Sequence, residues 1–135
     1  VDFSKEAVDQ MIKKAKKHNI KINILNDDIF NMQKYYGKFD MILEYTFFCA
    51  ILPSDRIKYI KTLSSLLKVN GTFVGILFPL NKSLNEGGPP FGVNFSKTLD
   101  IFSEYFKVID SYNSKLSIKP RLGNEKFIYM KKCIK

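Results

Sequence analysis

An acid, three aromatics and a thiol lie together in the run Glu44-Tyr45-Thr46-Phe47-Phe48-Cys49-Ala50-Ile51. Residues 39–43 just before it form a near-continuous apolar stretch, the pattern of a strand buried on both faces. The tip of such a strand is where an open α/β sheet places its ligand. There the ring faces of Tyr45, Phe47 and Phe48 could meet a sulfonium or another cation. The more ordinary use of the same rings is an aromatic core cluster. Cys49 lacks the partner a nucleophile needs, because the single histidine, His18, lies far away in sequence. One histidine and no carboxylate cluster of suitable spacing argue against a metal site.

A second run, Gly87-Gly88-Pro89-Pro90-Phe91, pairs glycines that permit close backbone approach with prolines that stiffen the chain. It sits in a long loop over residues 81–94, and long loops in compact domains tend to be functional. Phe91 suits a lid over the strand tip. Arg121, in Lys119-Pro120-Arg121-Leu122-Gly123, could steer an anionic acceptor, although a solvated turn arginine is the commoner case. Asp2 sits at a strand end ahead of a capped helix. In dinucleotide-type folds an acid there bonds a ribose hydroxyl, about 20 residues after a Gly-rich turn. The plainer role is help in capping that helix. Asp27 and Asp28 follow the next strand, where a carboxylate could accept from an adenine amino group with Ile29 against the ring. A solvated turn would use the same residues.

These side chains need a frame, and the periodicity supplies one. Val1-Asp2-Phe3 reads as the end of a strand. Ser4 then caps a helix with Ala7, Val8, Met11, Ile12 and Ala15 on one face and lysines at its C-terminal end. Ile20, Ile22 and Ile24 alternate with polar residues as a short strand. Pro53-Ser54 opens a helix with Ile57, Ile60, Leu63 and Leu67 inward, ended by Asn70-Gly71. Residues 72–78 are a third buried strand, stopped by Pro79. Ser96 caps a helix carrying Leu99, Ile101, Phe102 and Phe106, and residues 106–112 and 126–130 are final strands. Strands alternating with helices predict a parallel α/β sheet with helices on both faces, and the closing pair predicts an antiparallel C-terminal edge strand.

With 135 residues, 45% apolar and 26% charged, the chain suits one soluble domain over 1–135. The net charge of +9 raises the question of nucleic acid. Only Arg56 and Arg121 among the 22 basic residues are arginine, the preferred fork for phosphates and bases, and the lysines are scattered. The charge therefore reads as solvated helix faces. Cys49 and Cys133 make no disulfide framework, no apolar run is long enough to span a bilayer, and no signal peptide is visible. A reducing cytoplasm is the expected compartment.

Several further residues join these runs in a fixed order: Val1-Asp2-Phe3-Ser4 with Ala7-Val8, Asp28-Ile29-Phe30, Phe39-Asp40, Pro53 and Arg56, Leu66-Leu67-Lys68 with Gly71, Phe78-Pro79, Val93, and Arg121 with Gly123, Glu125 and Lys126. Together they resemble the thiopurine methyltransferase family, most closely its thiol and halide methyltransferase branch. The resemblance implies a Rossmann-like class I methyltransferase that uses S-adenosylmethionine and releases S-adenosylhomocysteine. It implies that Asp2 holds the ribose, that Asp28 holds the adenine amino group beside Ile29, and that Glu44 and Tyr45 lie near the methionine portion. Tyr45, Phe47, Phe48, Phe91 and Arg121 would border the acceptor. The family's first strand and Gly-rich cofactor loop have no counterpart in these residues, so the chain corresponds to the C-terminal two-thirds of such an enzyme.

The expected reaction is methyl transfer to a small soft nucleophile (a thiol, hydrosulfide or halide) by direct in-line attack. Alignment and desolvation would serve in place of a general base. The alternative is a catalytically incomplete methyltransferase-like module that binds an anionic partner through its basic face. A nucleic-acid methyltransferase is disfavoured, since the strand tip reads Glu44-Tyr45-Thr46-Phe47 and not Asn-Pro-Pro-Tyr. Expected partners are a small molecule, with no nucleic acid and no membrane, for a monomer or weak oligomer.

Overall fold

Ser4 caps the first helix as its sequence predicts: the Ala7 amide donates to Ser4 Oγ at 3.3 Å, and α1 runs Lys5–Lys17. The computed structural model describes residues 1–133. They form two compact units, one over Val1–Lys34 and a larger one starting at Tyr35.

In the first unit Val8 is the buried residue of α1. The expected strands at residues 1–3 and 20–24 are not formed as ladders. A single parallel bridge joins Asp2 to Asn26, supported by the Asp2 amide donating to the Leu25 carbonyl at 3.0 Å. Alternation of apolar residues makes a strand only where a neighbour completes the backbone hydrogen bonds. In this unit the pairing is limited to that one bridge.

The second unit is a four-stranded mixed sheet in the order β1-β2-β4-β3. Its strands are β1 (Phe39–Tyr45), β2 (Leu67–Leu77), β3 (Phe106–Tyr112) and β4 (Lys126–Lys132), with α2 (Arg56–Leu66) and α3 (Phe95–Ser103) between them. β1 and β2 are parallel, and β4 runs antiparallel to both β2 and β3. The closing pair is antiparallel as expected, but the C-terminal strand β4 is not the edge strand: it is inserted between β2 and β3, and β3 takes the edge. Phe73 on β2 and Met130 on β4 lie side by side beneath Phe102 of α3 and Phe106, and all four are buried.

Four expectations need correction. β1 is not buried on both faces: Met41, Leu43 and Tyr45 are exposed, because β1 is the edge strand and no helix of this unit covers that side. Ile57 points outward and Arg56 and Tyr59 inward, so the buried stripe of α2 starts one residue earlier than its apolar pattern suggests. Asn70-Gly71 does not end the helix. α2 stops at Leu66, and Asn70, at φ +60°, makes a bulge inside β2. The cap of α3 is Asn94, whose side chain accepts from the Lys97 amide at 3.0 Å, and not Ser96.

Candidate functional site

The period of two along β1 puts Glu44 on the inner face and Tyr45 on the outer one. Glu44 is 3% exposed and lies opposite Gly75. A Cβ at Gly75 would stand 3.0 Å from the Phe73 ring and 3.4 Å from the Glu44 Cβ, so the tight neighbour of position 75 is Phe73. Its Oε1 accepts from the Phe47 and Phe48 amides at 2.7 and 2.8 Å, which clamps the turn that leaves the strand. Its Oε2 is buried without a partner. Burial pushes the carboxyl above its ordinary range, and the two N–H bonds pull it partly back. In the same turn Cys49 Sγ donates to the Thr46 carbonyl at 3.3 Å. Burial, then the neighbouring Glu44 charge, holds the Cys49 thiol above its ordinary value.

The Gly-Gly-Pro-Pro loop is fastened to this turn. The Phe91 amide donates to the Cys49 carbonyl at 2.7 Å. Arg56, 5% exposed, reaches up from the start of α2. Its Nη1 donates to the Gly92 carbonyl at 2.9 Å and its Nη2 to that of Phe91 at 3.3 Å. The guanidinium lies 4.6 Å over the Phe48 ring. Lys82 Nζ donates to the Pro90 carbonyl at 2.8 Å, and the Val93 amide to that of Pro79 at 2.9 Å. Gly92 is required here, since a Cβ would collide with the Lys82 carbonyl.

Arg121 closes the arrangement from the third side. It ends a short 3-10 turn, and Asn124 ties that turn to the end of β2 by accepting from the Leu80 and Asn81 amides, each at 2.8 Å. Arg121 Nη1 donates to the Tyr45 hydroxyl at 2.7 Å, and the guanidinium sits 4.5 Å over the Phe78 ring. The result is an open cavity of about 280 Å³ lined by Thr46, Cys49, Ala50, Phe78, Pro89, Pro90 and Arg121. Such a volume, with one guanidinium, one thiol, the Thr46 residue and otherwise apolar walls, suits a small anion.

The structure thus brings Tyr45 and Arg121 together. It places Phe48, 2% exposed, in the core against Tyr59 and Phe102. Phe47 stacks on Tyr59 with ring centroids 5.4 Å apart, and Phe91 is half-buried in the fastened loop. In the first unit Asp2 Oδ1 accepts from the Ser4 amide at 2.8 Å. Asp28 is exposed, with its Oδ1 accepting from the Phe30 amide at 2.9 Å, and Ile29 is buried. From sequence, Arg56 and Phe78 had no assigned place at the site, and Cys49 was set aside only as a nucleophile. The rarity of arginine in this lysine-rich chain was the available signal for Arg56.

A family model described as thiopurine S-methyltransferase matches residues 1–131. The chain belongs to that family. Among curated relatives, the probable thiol methyltransferase 2 of Arabidopsis thaliana is 34% identical over 98% of this chain. The thiocyanate methyltransferase 1 of Brassica oleracea is 35% identical over 70% of it. The chain spans 58% of the first of these proteins and 41% of the second. Among solved structures, the PH0226 protein of Pyrococcus horikoshii superposes with a TM-score of 0.77 at 12% identity, over 98% of this chain and 69% of that one. The N-methyltransferase NodS of Bradyrhizobium japonicum, solved with S-adenosylhomocysteine, gives 0.71 at 10% identity, over 99% and 65%. The fold is therefore the Rossmann-like sheet of class I methyltransferases. Among the described residues no helix is long and apolar enough to cross a membrane, and no cluster of His, Cys, Asp and Glu could hold a metal ion.

Proposed function

We propose that this thiopurine S-methyltransferase family member transfers a methyl group from S-adenosylmethionine to a small soft anion: a thiolate, hydrosulfide, thiocyanate or halide. The observation that carries this reading is the Arg121 guanidinium, held over Phe78 by the Tyr45 hydroxyl at the wall of a small apolar cavity. The thiol and thiocyanate methyltransferases among the relatives support the acceptor class.

The residues present fit the cofactor. Glu44 keeps one buried carboxylate oxygen with no partner, an acceptor suited to an ammonium group. With Tyr45 it would hold the methionine portion, while Asp2 would take the ribose and Asp28 with Ile29 the adenine. When bound, S-adenosylmethionine supplies an electrophilic methyl on a sulfonium centre. Arg121 draws the anionic acceptor into the cavity and fixes its position. Phe78, Pro89 and Pro90 strip water from it, which strengthens the attraction between opposite charges and speeds their annihilation by in-line attack. A soft anion arrives already deprotonated, so no general base is needed. Cys49, at the same wall, stays a protonated thiol and does not compete as acceptor. The unpaired thiols of Cys49 and Cys133 support a reducing cytoplasm. The family match runs through both units, which supports a single domain, acting as a monomer or weak oligomer.

The test uses the full-length protein. Calorimetry should detect S-adenosylhomocysteine binding, and methylated product should form from thiocyanate, hydrosulfide, iodide or an aryl thiol. Arg121→Gln should lower kcat/KM for the anionic acceptors at least about tenfold, the loss of one charge-assisted contact. No binding of S-adenosylhomocysteine, or full activity in Arg121→Gln, would refute the proposal.

A further inference from the structure

Beside Arg121 stands a carboxylate that the reading above does not use. Glu125 is 3% exposed, and its Oε2 makes no hydrogen bond. That oxygen lies 4.0 Å from Arg121 Nη1, an ion pair by charge but too long for a hydrogen bond. Arg121 gives its short contact, 2.7 Å, to the neutral Tyr45 hydroxyl instead. A buried carboxylate is costly to keep charged, and replacing it by a neutral group of similar shape would remove that cost. Its position instead gives it an electrostatic effect. An anion in the cavity meets the guanidinium in front, and behind it a negative charge whose field opposes that attraction. The apolar wall of Phe78 and the prolines screens this opposition less than bulk water would.

We propose that Glu125 sets the anion affinity of Arg121: it weakens anion binding in the cavity, so that an anion fills the acceptor site only where contact with the walls adds to the pull of the guanidinium. The inference rests on the cavity being the acceptor site. Arg121 keeps enough net pull for a soft anion that also gains from contact with the aromatic and proline walls. A strongly hydrated anion, which must shed more water, is left outside. Glu125 acts through Arg121 and is a positioning residue, not a catalytic one.

The direction of the effect separates this role from a structural one, because a variant that merely loosens the site cannot bind anions more tightly. The experiment titrates the full-length protein with sodium thiocyanate and with sodium chloride at constant ionic strength, following the Cys49 and Arg121 amide resonances. Glu125→Gln, which keeps the shape and removes the charge, should lower the Kd for both anions at least about threefold. Glu125→Asp, which draws the charge back by one methylene, should lower it less. Arg121→Gln should raise it at least about tenfold. Unchanged or weaker binding in Glu125→Gln, with Arg121→Gln impaired, would overturn the role of Glu125 and leave the acceptor site intact. Unchanged binding in Arg121→Gln would overturn the acceptor site itself. If neither Glu125 variant gave a wild-type amide spectrum, Glu125 would be a folding residue and the proposal would fall.

Discussion

Arg56 is the fastening on which the cavity depends, and Arg56→Met tests that directly. Methionine fills much of the same space without the two donors. The change removes a 2.9 Å and a 3.3 Å hydrogen bond to the carbonyls of Gly92 and Phe91, and a guanidinium 4.6 Å over the Phe48 ring. Bonds from a charged donor contribute roughly 1.5–3 kcal/mol each, with the longer one at the low end, and the ring contact roughly 0.5–2 kcal/mol. Against this stands the burial that lowers the pKa of Arg56, a desolvation cost that methionine does not carry. The net loss should be about 2–4 kcal/mol, concentrated in the loop, because both carbonyls lie there. Hydrogen exchange measures that difference locally. The Phe91 and Val93 amides, bonded to the carbonyls of Cys49 and Pro79, should exchange about 30- to 700-fold faster in the variant, at one decade per 1.4 kcal/mol. The amides of β4, in the middle of the sheet, should change far less. Arg56→Lys should behave like methionine at the loop, since a lysine cannot span two carbonyls with a fixed fork. Wild-type protection at Phe91 and Val93 in Arg56→Met would show that the loop holds itself, and the reasoning would be wrong.

Phe48→Ala should act on stability and not on acceptor choice. The ring is 2% exposed against Tyr59, Phe102 and Arg56, so urea unfolding should show a loss of about 3–5 kcal/mol, while relative activity among thiols and halides in the folded fraction stays the same. Glu44 predicts a pH signature. Its folded pKa is raised above 4.5, so the folded state holds the proton more tightly than the unfolded one. Its contribution is fully present below pH 4.5 and is lost as pH rises through the higher folded value. In Glu44→Gln that fall should vanish from the stability–pH curve, and an unaltered curve would show that Glu44 is not buried as described.

How much of this was legible beforehand depends on whether the signal is local. Ser4 was readable as a helix cap because its hydroxyl serves an amide three residues on. In the second unit the order of strands and helices was readable from periodicity, and the resemblance in residue order matched the family. The strand tip at Glu44 and Tyr45 and the long proline loop were marked for the same reason, since both are runs within the chain. The fate of each aromatic was not. Tyr45, Phe47 and Phe48 are near neighbours in sequence, yet one is exposed and bonded to Arg121, one stacks on Tyr59 and one is buried beside Phe102.

The sequence by itself determined the alternation of elements in the second unit, the Ser4 cap, and the placing of an acid, aromatics and glycine-proline loop after strands, because these follow from backbone geometry and side chains a few residues apart. Only the tertiary structure decided that Arg56 fastens the loop, that Gly75 pairs with Glu44 across the strands, and that Arg121 meets Tyr45 across 76 positions of chain. Those contacts exist because strand order and register bring distant residues together, and neither is encoded in any local window. The same sheet geometry left β1 at the edge with one face open, which its apolar pattern alone had marked for burial on both sides.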